Sequence, residues 1–301
     1  MRHVVIGAGQ VGGQLAELLL GQGHQVVQIS RSGGGAPGAE RVALDASDAE
    51  AMVRATQGAD VIYNCVNPPY HRWPIDWPPM HAAMIRAAQE SGAGLVILGN
   101  LYAYGPVSGP MTEDLPLAAT HVKGRVRAEM WEQALAAGIR TTEIRGSDYF
   151  GPGSTGEAYL TMQVIRPAAE NRPVVVLSDP DVPHSWTYLP DVARALVVAG
   201  ADERAWGRPW HVPTSGALTF REVAERAALL AGARKPRIVK VPRAVFHAMG
   251  WTSPKMKGLR ETLYQFEAPF VLDSSDFETT FGLAPTPVDE ALVASIAKEP
   301  V

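Results

Sequence analysis

The chain has 301 residues, of which 46% are hydrophobic, and its formal net charge is −4. This composition indicates a globular protein with a substantial core, and it gives no support to nucleic-acid binding through phosphate neutralisation. Cys65 is the only cysteine, which excludes an intrachain disulfide and a zinc site built on several thiolates. The N-terminus lacks a signal-peptide pattern and no apolar stretch is long enough to span a membrane, so we expect a soluble, cytoplasmic protein without a membrane partner.

The first thirty residues predict a strand, a glycine turn, a helix and a second strand. A β-branched run ends at Gly7, apolar residues recur at helical spacing between Val11 and Leu19, and "QVVQIS" follows Gly23. A unit of this size matches a right-handed β-α-β crossover. Helical segments then alternate with the strands "ADVIYNCV", "AGLVILGN" and "IRTTEIRGS". This alternation predicts an α/β fold with a doubly wound parallel sheet.

A glycine motif lies at the first turn. Gly7, Gly9 and Gly12 form G-x-G-x-x-G after a predicted strand and at the start of a predicted helix. The first glycine permits a tight turn, the second lets backbone approach a pyrophosphate, and the third allows close helix packing. The motif therefore predicts dinucleotide binding, and a glycine turn that only packs is the structural alternative. We also assign Gln10 and Val11 to the cofactor site.

The end of the second strand indicates which dinucleotide binds. An NAD site usually places an acidic residue there, whereas this chain has Ser30, Arg31 and Ser32. An arginine and hydroxyls suit a 2′-phosphate, so we predict that Arg31 and Ser32 favour NADP(H) over NAD(H). Asp45 is expected either to hydrogen-bond the adenine or to cap a helix. The glycine-rich segment from Ser32 to Gly38 predicts a mobile loop.

The regular alternation stops after about residue 151, where proline-rich loops and isolated helices follow. We predict a dinucleotide-binding Rossmann domain over residues 1–165 and a smaller substrate-binding region over residues 166–301. Part of that region, about 186–215, is expected to pack back on the first domain.

Five segments resemble extended or atypical short-chain dehydrogenases/reductases of the NAD(P)-dependent epimerase/dehydratase type. They are "VIGAGQVGG", "LYAYGP", "MTEDLPL", "EIRGSDYFGPG" and "SWTYLPDVARAL". The resemblance covers most of the chain and implies hydride transfer to or from a small carbonyl or alcohol substrate. It also implies that a homodimer is a common assembly.

Such enzymes typically carry a Ser or Thr, and a Tyr-x-x-x-Lys pair on the helix after the fourth strand. Matching the spacing implies Asn100 at the Ser/Thr position, His121 at the tyrosine and Arg125 at the lysine. A proton must move at the substrate oxygen, and a donor must polarise the carbonyl. We therefore predict that Asn100 and His121 face the substrate and that Arg125 holds the ribose. Asn100 as a cap at the strand end is the structural alternative.

The role of His121 has several alternatives, because a nearby arginine disfavours the imidazolium that would act as an acid. A carboxylate such as Asp148 restores the charge, or a tyrosine donates the proton, or His121 positions the substrate or fills space. The candidate tyrosines are Tyr102, Tyr104 and Tyr149. Tyr104 either packs beneath the nicotinamide or belongs to the core.

Helical spacing places His121 and Arg125 on one face of the predicted helix and Lys123 and Arg127 on another. We expect the first pair to point toward the cofactor and the second pair to be solvated.

The segment "NPPYHRWPIDWPPM", which begins at Asn67, predicts a proline-stiffened loop at the carboxyl end of the sheet. Trp73 and Trp77 are expected to form an aromatic wall over the substrate, or else to anchor a surface loop. Asn67 is assigned to the cofactor, and Tyr149 and His184 to the substrate. A loop histidine with a backbone partner is the alternative for His184.

Other chemistries find little support in the sequence. The histidines show no metal-binding spacing and no G-x-S-x-G is present, so neither a metal site nor a hydrolase nucleophile is expected. Cys65 lies in an apolar run and is expected to be a buried, unreactive thiol rather than a nucleophile. An epimerase or dehydratase that regenerates its cofactor, and a non-catalytic NADP(H) sensor with a protein partner, remain the alternative functions.

Overall fold

The computed structural model describes residues 1–154, 158–241 and 260–297. The chain divides into two compact units, each assembled from separate segments. Unit 1 comprises Met1–Gly105, Leu117–Arg145 and Val192–Trp210, and unit 2 comprises Pro106–Pro116, Gly146–Asp191 and His211–Val301. The predicted boundary at residue 165 and the packing of residues 186–215 on the first domain stay predictions.

The strands and helices alternate in the first half of the chain as the sequence predicts. The strands are β1 (Arg2–Ile6), β2 (Gln25–Ser30), β3 (Glu40–Ala43), β4 (Val61–Asn64), β5 (Gly94–Asn100), β6 (Thr141–Gly146), β7 (Asp148–Phe150), β8 (Val174–Val176), β9 (Trp186–Tyr188), β10 (Pro209–His211) and β11 (Ile238–Lys240). The helices are α1 (Gln10–Gly21), α2 (Ala49–Ala55), α3 (Trp73–Ser91), α4 (Val122–Ala136), α5 (Arg166–Ala169), α6 (Leu189–Ala201), α7 (Phe220–Leu230), α8 (Ser275–Phe281) and α9 (Val288–Ile296).

A seven-stranded sheet with the strand order β10-β6-β5-β4-β1-β2-β3 forms the centre of the fold. β1 pairs in parallel with β2 on one side and with β4 on the other, and Val4 lies opposite both Val27 and Ile62. The order of the first six strands reverses at β1, which is the point where open α/β sheets bind ligands beyond their carboxyl ends. The predicted doubly wound fold is confirmed.

Helix α3 begins at Trp73, so the prediction of a loop through residue 80 is wrong for most of that segment. The first turn tolerates Pro74 because the amides there have no helical partner. Pro78 and Pro79 lie further inside the helix and each remove a hydrogen-bond donor. Trp73 and Trp77 are one turn apart and 0% exposed, and burial of two indoles offsets that loss.

Unit 2 has two small parallel pairs, β7 with β9 and β8 with β11. Its core packs β8 and β9 against α7 and α9 through apolar side chains such as Val174, Trp186 and Leu292. Thr219 and Glu222 form a capping box that fixes the start of α7. Within the described ranges, no helix is both long and apolar enough to cross a membrane.

Candidate active site

The glycine loop follows β1 and has the geometry that a pyrophosphate site needs. Gly7 has φ +116°, and a Cβ there would lie 2.6 Å from the Cys65 carbonyl oxygen. A Cβ on Gly12 would overlap the Gly7 carbonyl, whereas a Cβ on Gly9 would meet nothing within 4 Å. Gly9 is also the N-cap residue of α1 and, as a glycine, makes no side-chain cap hydrogen bond. The loop therefore leaves an open backbone surface at a helix N-terminus, where an anion binds favourably.

The neighbours of the loop differ in what they can offer a ligand. Val11 is buried in the core, so only its backbone is suited to contact a cofactor, while Gln10 is half-buried and Asn67 is exposed. Burial raises the pKa of the Cys65 thiol to about 12. This favours the prediction of an unreactive thiol over that of a nucleophile.

Arg31 and Ser32 are exposed after β2, as a site for a 2′-phosphate requires. Asp45 accepts hydrogen bonds from the Ser47 amide and hydroxyl, and these bonds, together with the charge of Arg31, lower its pKa. Asp48 caps α2 instead of Asp45, so the helix-cap alternative for Asp45 is wrong. The adenine contact stays a prediction.

The prediction of a mobile loop after Arg31 is not supported by its contacts. The Ser30 hydroxyl donates to the Gly34 carbonyl at 2.9 Å, and the Ala36 amide donates to the Gln28 side chain at 2.7 Å. These bonds anchor the loop to β2.

Helix α4 begins at Val122. The burial of its basic residues is the opposite of what the sequence predicted. Lys123 and Arg127 are 2% and 5% exposed, whereas Arg125 is exposed. The prediction that Arg125 points inward and that Lys123 and Arg127 are solvated is wrong. The prediction placed His121 and Arg125 on one face of the same helix. In the structure His121 is the N-cap residue and lies before the helix, so its position does not show which helix face points inward.

Arg127 explains why the tryptophans of α3 do not form a substrate wall. Its guanidinium lies 4.7 Å and 4.6 Å from the ring centroids of Trp73 and Trp77, and it donates to the Leu98 carbonyl at 3.2 Å. The Trp73 indole donates to the Pro68 carbonyl. Both indoles are therefore core residues stacked on a buried cation, and the prediction of an aromatic wall is wrong.

Lys123 lies over the ring of Tyr70, which pairs with Tyr102 at the carboxyl ends of neighbouring strands. Its Nζ is 5.6 Å from the centroid of the Tyr70 ring, and the Tyr70 and Tyr102 hydroxyl oxygens are 3.0 Å apart. Tyr70 follows β4 and is half-buried, whereas Tyr102 follows β5 and is buried. Two paired phenol hydroxyls beside a cation are groups of the kind that transfer protons in enzyme active sites.

The burial of Lys123 suggests a second alignment of the Tyr-x-x-x-Lys pattern, with Lys123 instead of Arg125 at the lysine position. If Lys123 is its lysine, Ala119 occupies the tyrosine position. Sequence reasoning missed Tyr70, although its place in an aromatic segment directly after a buried strand was a usable signal.

His121 and Asn100 both serve as caps. The His121 Nδ1 accepts from the Gly124 amide at 3.1 Å, so this nitrogen carries no hydrogen and Nε2 is the donor of a neutral ring. The role of His121 in proton transfer stays a prediction. The Asn100 Oδ1 accepts from the Tyr102 amide at 3.1 Å, a contact of the kind that the capping alternative predicts, and the substrate contact of Asn100 stays a prediction.

Tyr104 belongs to a buried polar network. The Arg145 guanidinium donates to the Tyr104 hydroxyl at 2.8 Å and to Glu143 at 2.6 Å. Tyr104 is 2% exposed. These contacts favour the core-packing alternative for this residue.

In unit 2, the predicted substrate residue His184 is buried and hydrogen-bonded at both nitrogens. Nδ1 donates to the Gln265 carbonyl at 3.1 Å, and Nε2 lies 2.9 Å from Asp148 Oδ2. Asp148 thus has His184 as its partner rather than His121. Tyr149 is half-buried, and its substrate contact stays a prediction.

Within the described part of the chain, no group of three or more His, Cys, Asp or Glu side chains is placed to hold a metal ion.

Comparisons with known proteins agree with this geometry. The NAD dependent epimerase/dehydratase family model matches residues 3–211. MoeE5 in complex with UDP-glucose and NAD has a TM-score of 0.79 at 19% identity, with 98% of this chain and 97% of that chain covered. The UDP-glucose 4-epimerase from Thermus thermophilus in complex with NAD has a TM-score of 0.78 at 19% identity, with 98% of each chain covered.

The UDP-glucuronic acid 4-epimerase from Bacillus cereus in complex with NAD has a TM-score of 0.77 at 16% identity, with 98% of this chain and 97% of that chain covered. No sequence match was found among curated proteins. At these identities the solved structures are similar to this chain in fold.

Proposed function

Because the chain belongs to the NAD-dependent epimerase/dehydratase family, we propose that it oxidises and re-reduces a hydroxyl-bearing carbon of a small-molecule substrate. UDP-glucose and UDP-glucuronic acid are bound by the similar structures, which supports a sugar nucleotide as the first substrate class to test. An epimerase or dehydratase reaction fits these relatives better than the net reduction of a small carbonyl that the sequence favoured.

The proposed cofactor is NADP(H), which supplies a hydride acceptor and donor when bound. The open glycine loop around Gly9 supports a pyrophosphate contact, and the exposed Arg31 and Ser32 support a 2′-phosphate contact. The solved relatives contain NAD. The preference for NADP(H) therefore rests on the residues after β2 in this chain.

The observation that supports the proposed chemistry is that Lys123 lies over the ring of Tyr70, whose hydroxyl pairs with that of Tyr102. As hydride leaves the substrate carbon, the hydroxyl proton moves to a tyrosine oxygen, and it returns when the carbonyl is reduced again. The Asn100 amide polarises the carbonyl oxygen as a hydrogen-bond donor. His121 caps the start of α4 through Nδ1, and its proposed role is to position the substrate.

Net reduction of a small carbonyl is the second candidate. Arg31 and Ser32 favour it, because a site selective for the 2′-phosphate draws on NADPH, the hydride donor of net reductions. This candidate uses the same tyrosines and differs only in the fate of the hydride.

The test combines dinucleotide titration with product analysis. Purified protein is titrated with NADPH and NADH by energy transfer from tryptophan, then incubated with UDP-glucose, UDP-glucuronic acid, dTDP-glucose and a panel of aldehydes and ketones. A rearranged sugar nucleotide without net NADPH oxidation supports the first proposal, and stoichiometric NADPH oxidation by a carbonyl supports the second. Dinucleotide binding without turnover overturns both in favour of a sensor, and binding of neither dinucleotide overturns the cofactor assignment.

A homodimer is also proposed from the family resemblance. Light scattering coupled to size exclusion measures it directly.

A further inference from the structure

Gln28 is a polar side chain in the buried middle of β2, where its neighbours are apolar. It lies in β2 between Val27 and Ile29 and is 0% exposed. Burying a primary amide is unfavourable unless its donors and acceptor find partners. The contacts of Gln28 therefore show what this residue is for.

The amide of Gln28 joins two loops. Nε2 donates to the Gly7 carbonyl at 3.1 Å and to the Gly12 carbonyl at 3.0 Å, while Oε1 accepts from the Ala36 amide at 2.7 Å. Both amide hydrogens are used, and the reverse orientation would place Oε1 against two carbonyl oxygens. The orientation of the side chain is thus fixed by its partners.

The two joined loops are the two ends of the proposed dinucleotide site. Gly7 and Gly12 bracket the pyrophosphate loop, and Ala36 lies in the loop that starts with Arg31 and Ser32. That second loop also fits closely against the amide, since a Cβ on Gly35 would lie 2.7 Å from Gln28 Oε1. A shift of either loop must break a hydrogen bond to Gln28.

We propose that Gln28 is a positioning residue that couples the pyrophosphate loop to the loop carrying Arg31 and Ser32, and so determines selectivity for the 2′-phosphate of NADP(H). The inference rests on the proposed dinucleotide function. Gln28 is fully buried, and its role is to hold the backbone from which both contacts are made. A merely structural role would weaken NADPH and NADH binding equally, whereas coupling weakens NADPH binding more.

The test measures affinities for NADPH and NADH in wild type, Gln28→Leu and Gly35→Ala. Gln28→Leu removes the three hydrogen bonds while keeping a side chain of similar size. Gly35→Ala displaces the second loop from the Gln28 amide and substitutes no core side chain. Gln25→Leu, on the exposed start of the same strand, is the control. We expect both test variants to lose about tenfold in NADPH affinity and about twofold or less for NADH.

A double-mutant cycle with Arg31→Ala adds a second readout. Coupling predicts that Arg31→Ala costs much less NADPH affinity in the Gln28→Leu background than in wild type. Equal losses for both cofactors, or additive effects in the cycle, would overturn the role of Gln28. Wild type that binds neither dinucleotide overturns the proposed function instead, and wild type that prefers NADH overturns the assignment of a 2′-phosphate site. If Gln28→Leu does not fold, Gly35→Ala decides the question.

Discussion

Gly124 determines how closely α4 approaches the turn that carries Tyr102. A Cβ at this position would lie 3.0 Å from the His121 ring and would overlap Ala119 and the Tyr102 carbonyl. Gly124→Ala should therefore lower the free energy of unfolding by about 1–3 kcal/mol, because the neighbours are backbone and short side chains that cannot move cheaply. Urea unfolding followed by tryptophan fluorescence measures the change.

Gly21→Ala provides the matched control for that prediction. Gly21 ends α1, and a Cβ there meets nothing within 4 Å, so the substitution should leave stability unchanged or raise it by up to about 1 kcal/mol. Equal stability of Gly124→Ala and Gly21→Ala would contradict the close approach described for α4.

The glycine loop could be predicted from the sequence because its requirements are local. Gly7 has a positive φ, and Gly12 packs against the Gly7 carbonyl with no room for a Cβ. Both requirements for glycine arise within one turn, so the spacing of the motif is enough to predict them. The basic residues of α4 could not be assigned in the same way. Lys123, Arg125 and Arg127 alternate along the helix, and only the aromatic partners contributed by distant segments determine which cations are buried.

Between elements, Arg127 links α4 to α3. Its guanidinium stacks on Trp73 and Trp77 and donates to the Leu98 carbonyl. Arg127→Met should lower the free energy of unfolding by about 1–3 kcal/mol, since it removes stacking and a hydrogen bond while keeping apolar volume. Arg127→Lys should lower it by a smaller amount because a charge remains without the planar group.

Denaturant unfolding with near-ultraviolet circular dichroism measures both the stability and the environment of the indoles. The exposed Arg125→Met is the control and should stay within about 0.5 kcal/mol of wild type. A larger effect for Arg125→Met than for Arg127→Met would restore the rejected assignment of Arg125 as the inward residue.

Trp73 and Trp77 also show why the bounds of some elements were predicted correctly and those of others were not. The sequence pattern predicted "QVVQIS" as a strand, and β2 spans those six residues, because a short β-branched run between glycines has one interpretation. The start of α3 was missed because Pro74, Pro78 and Pro79 indicate a loop locally. Burial of Trp73 and Trp77 outweighs that local preference, and burial depends on residues far along the chain.

At the scale of the whole molecule, the doubly wound parallel sheet could be predicted from the alternation of strands and helices, whereas the composition of each unit could not. Unit 2 takes in Pro106–Pro116 as well as the later segments. There, the Glu113 carboxylate accepts from the His211 amide at 2.8 Å. A contact between positions almost a hundred residues apart has no local sequence pattern.

Two buried histidines of unit 1 should make the stability of the protein depend on pH. Burial lowers the pKa of His3 to about 4, with the charge of His24 adding to the effect, and burial lowers the pKa of His81 to about 4 although its bond to the Met130 carbonyl opposes the shift. In the unfolded chain both groups return to about 6.5. Below pH 6.5 the unfolded state binds more protons than the folded state. The contribution of the two neutral histidines to the free energy of unfolding is therefore complete above pH 6.5 and is lost as the pH falls toward 4.

Each of these histidines should contribute a loss on the order of 1–3 kcal/mol between pH 6.5 and 4. His81→Gln removes one titrating group while keeping a donor for the Met130 carbonyl, and it should flatten the decline by about half. His71→Gln, at an exposed position, should leave the decline unchanged. Urea midpoints measured across this pH range test the assignment. If the slope of His81→Gln equals that of wild type, acid destabilisation arises from other groups and the neutral burial of His81 is wrong.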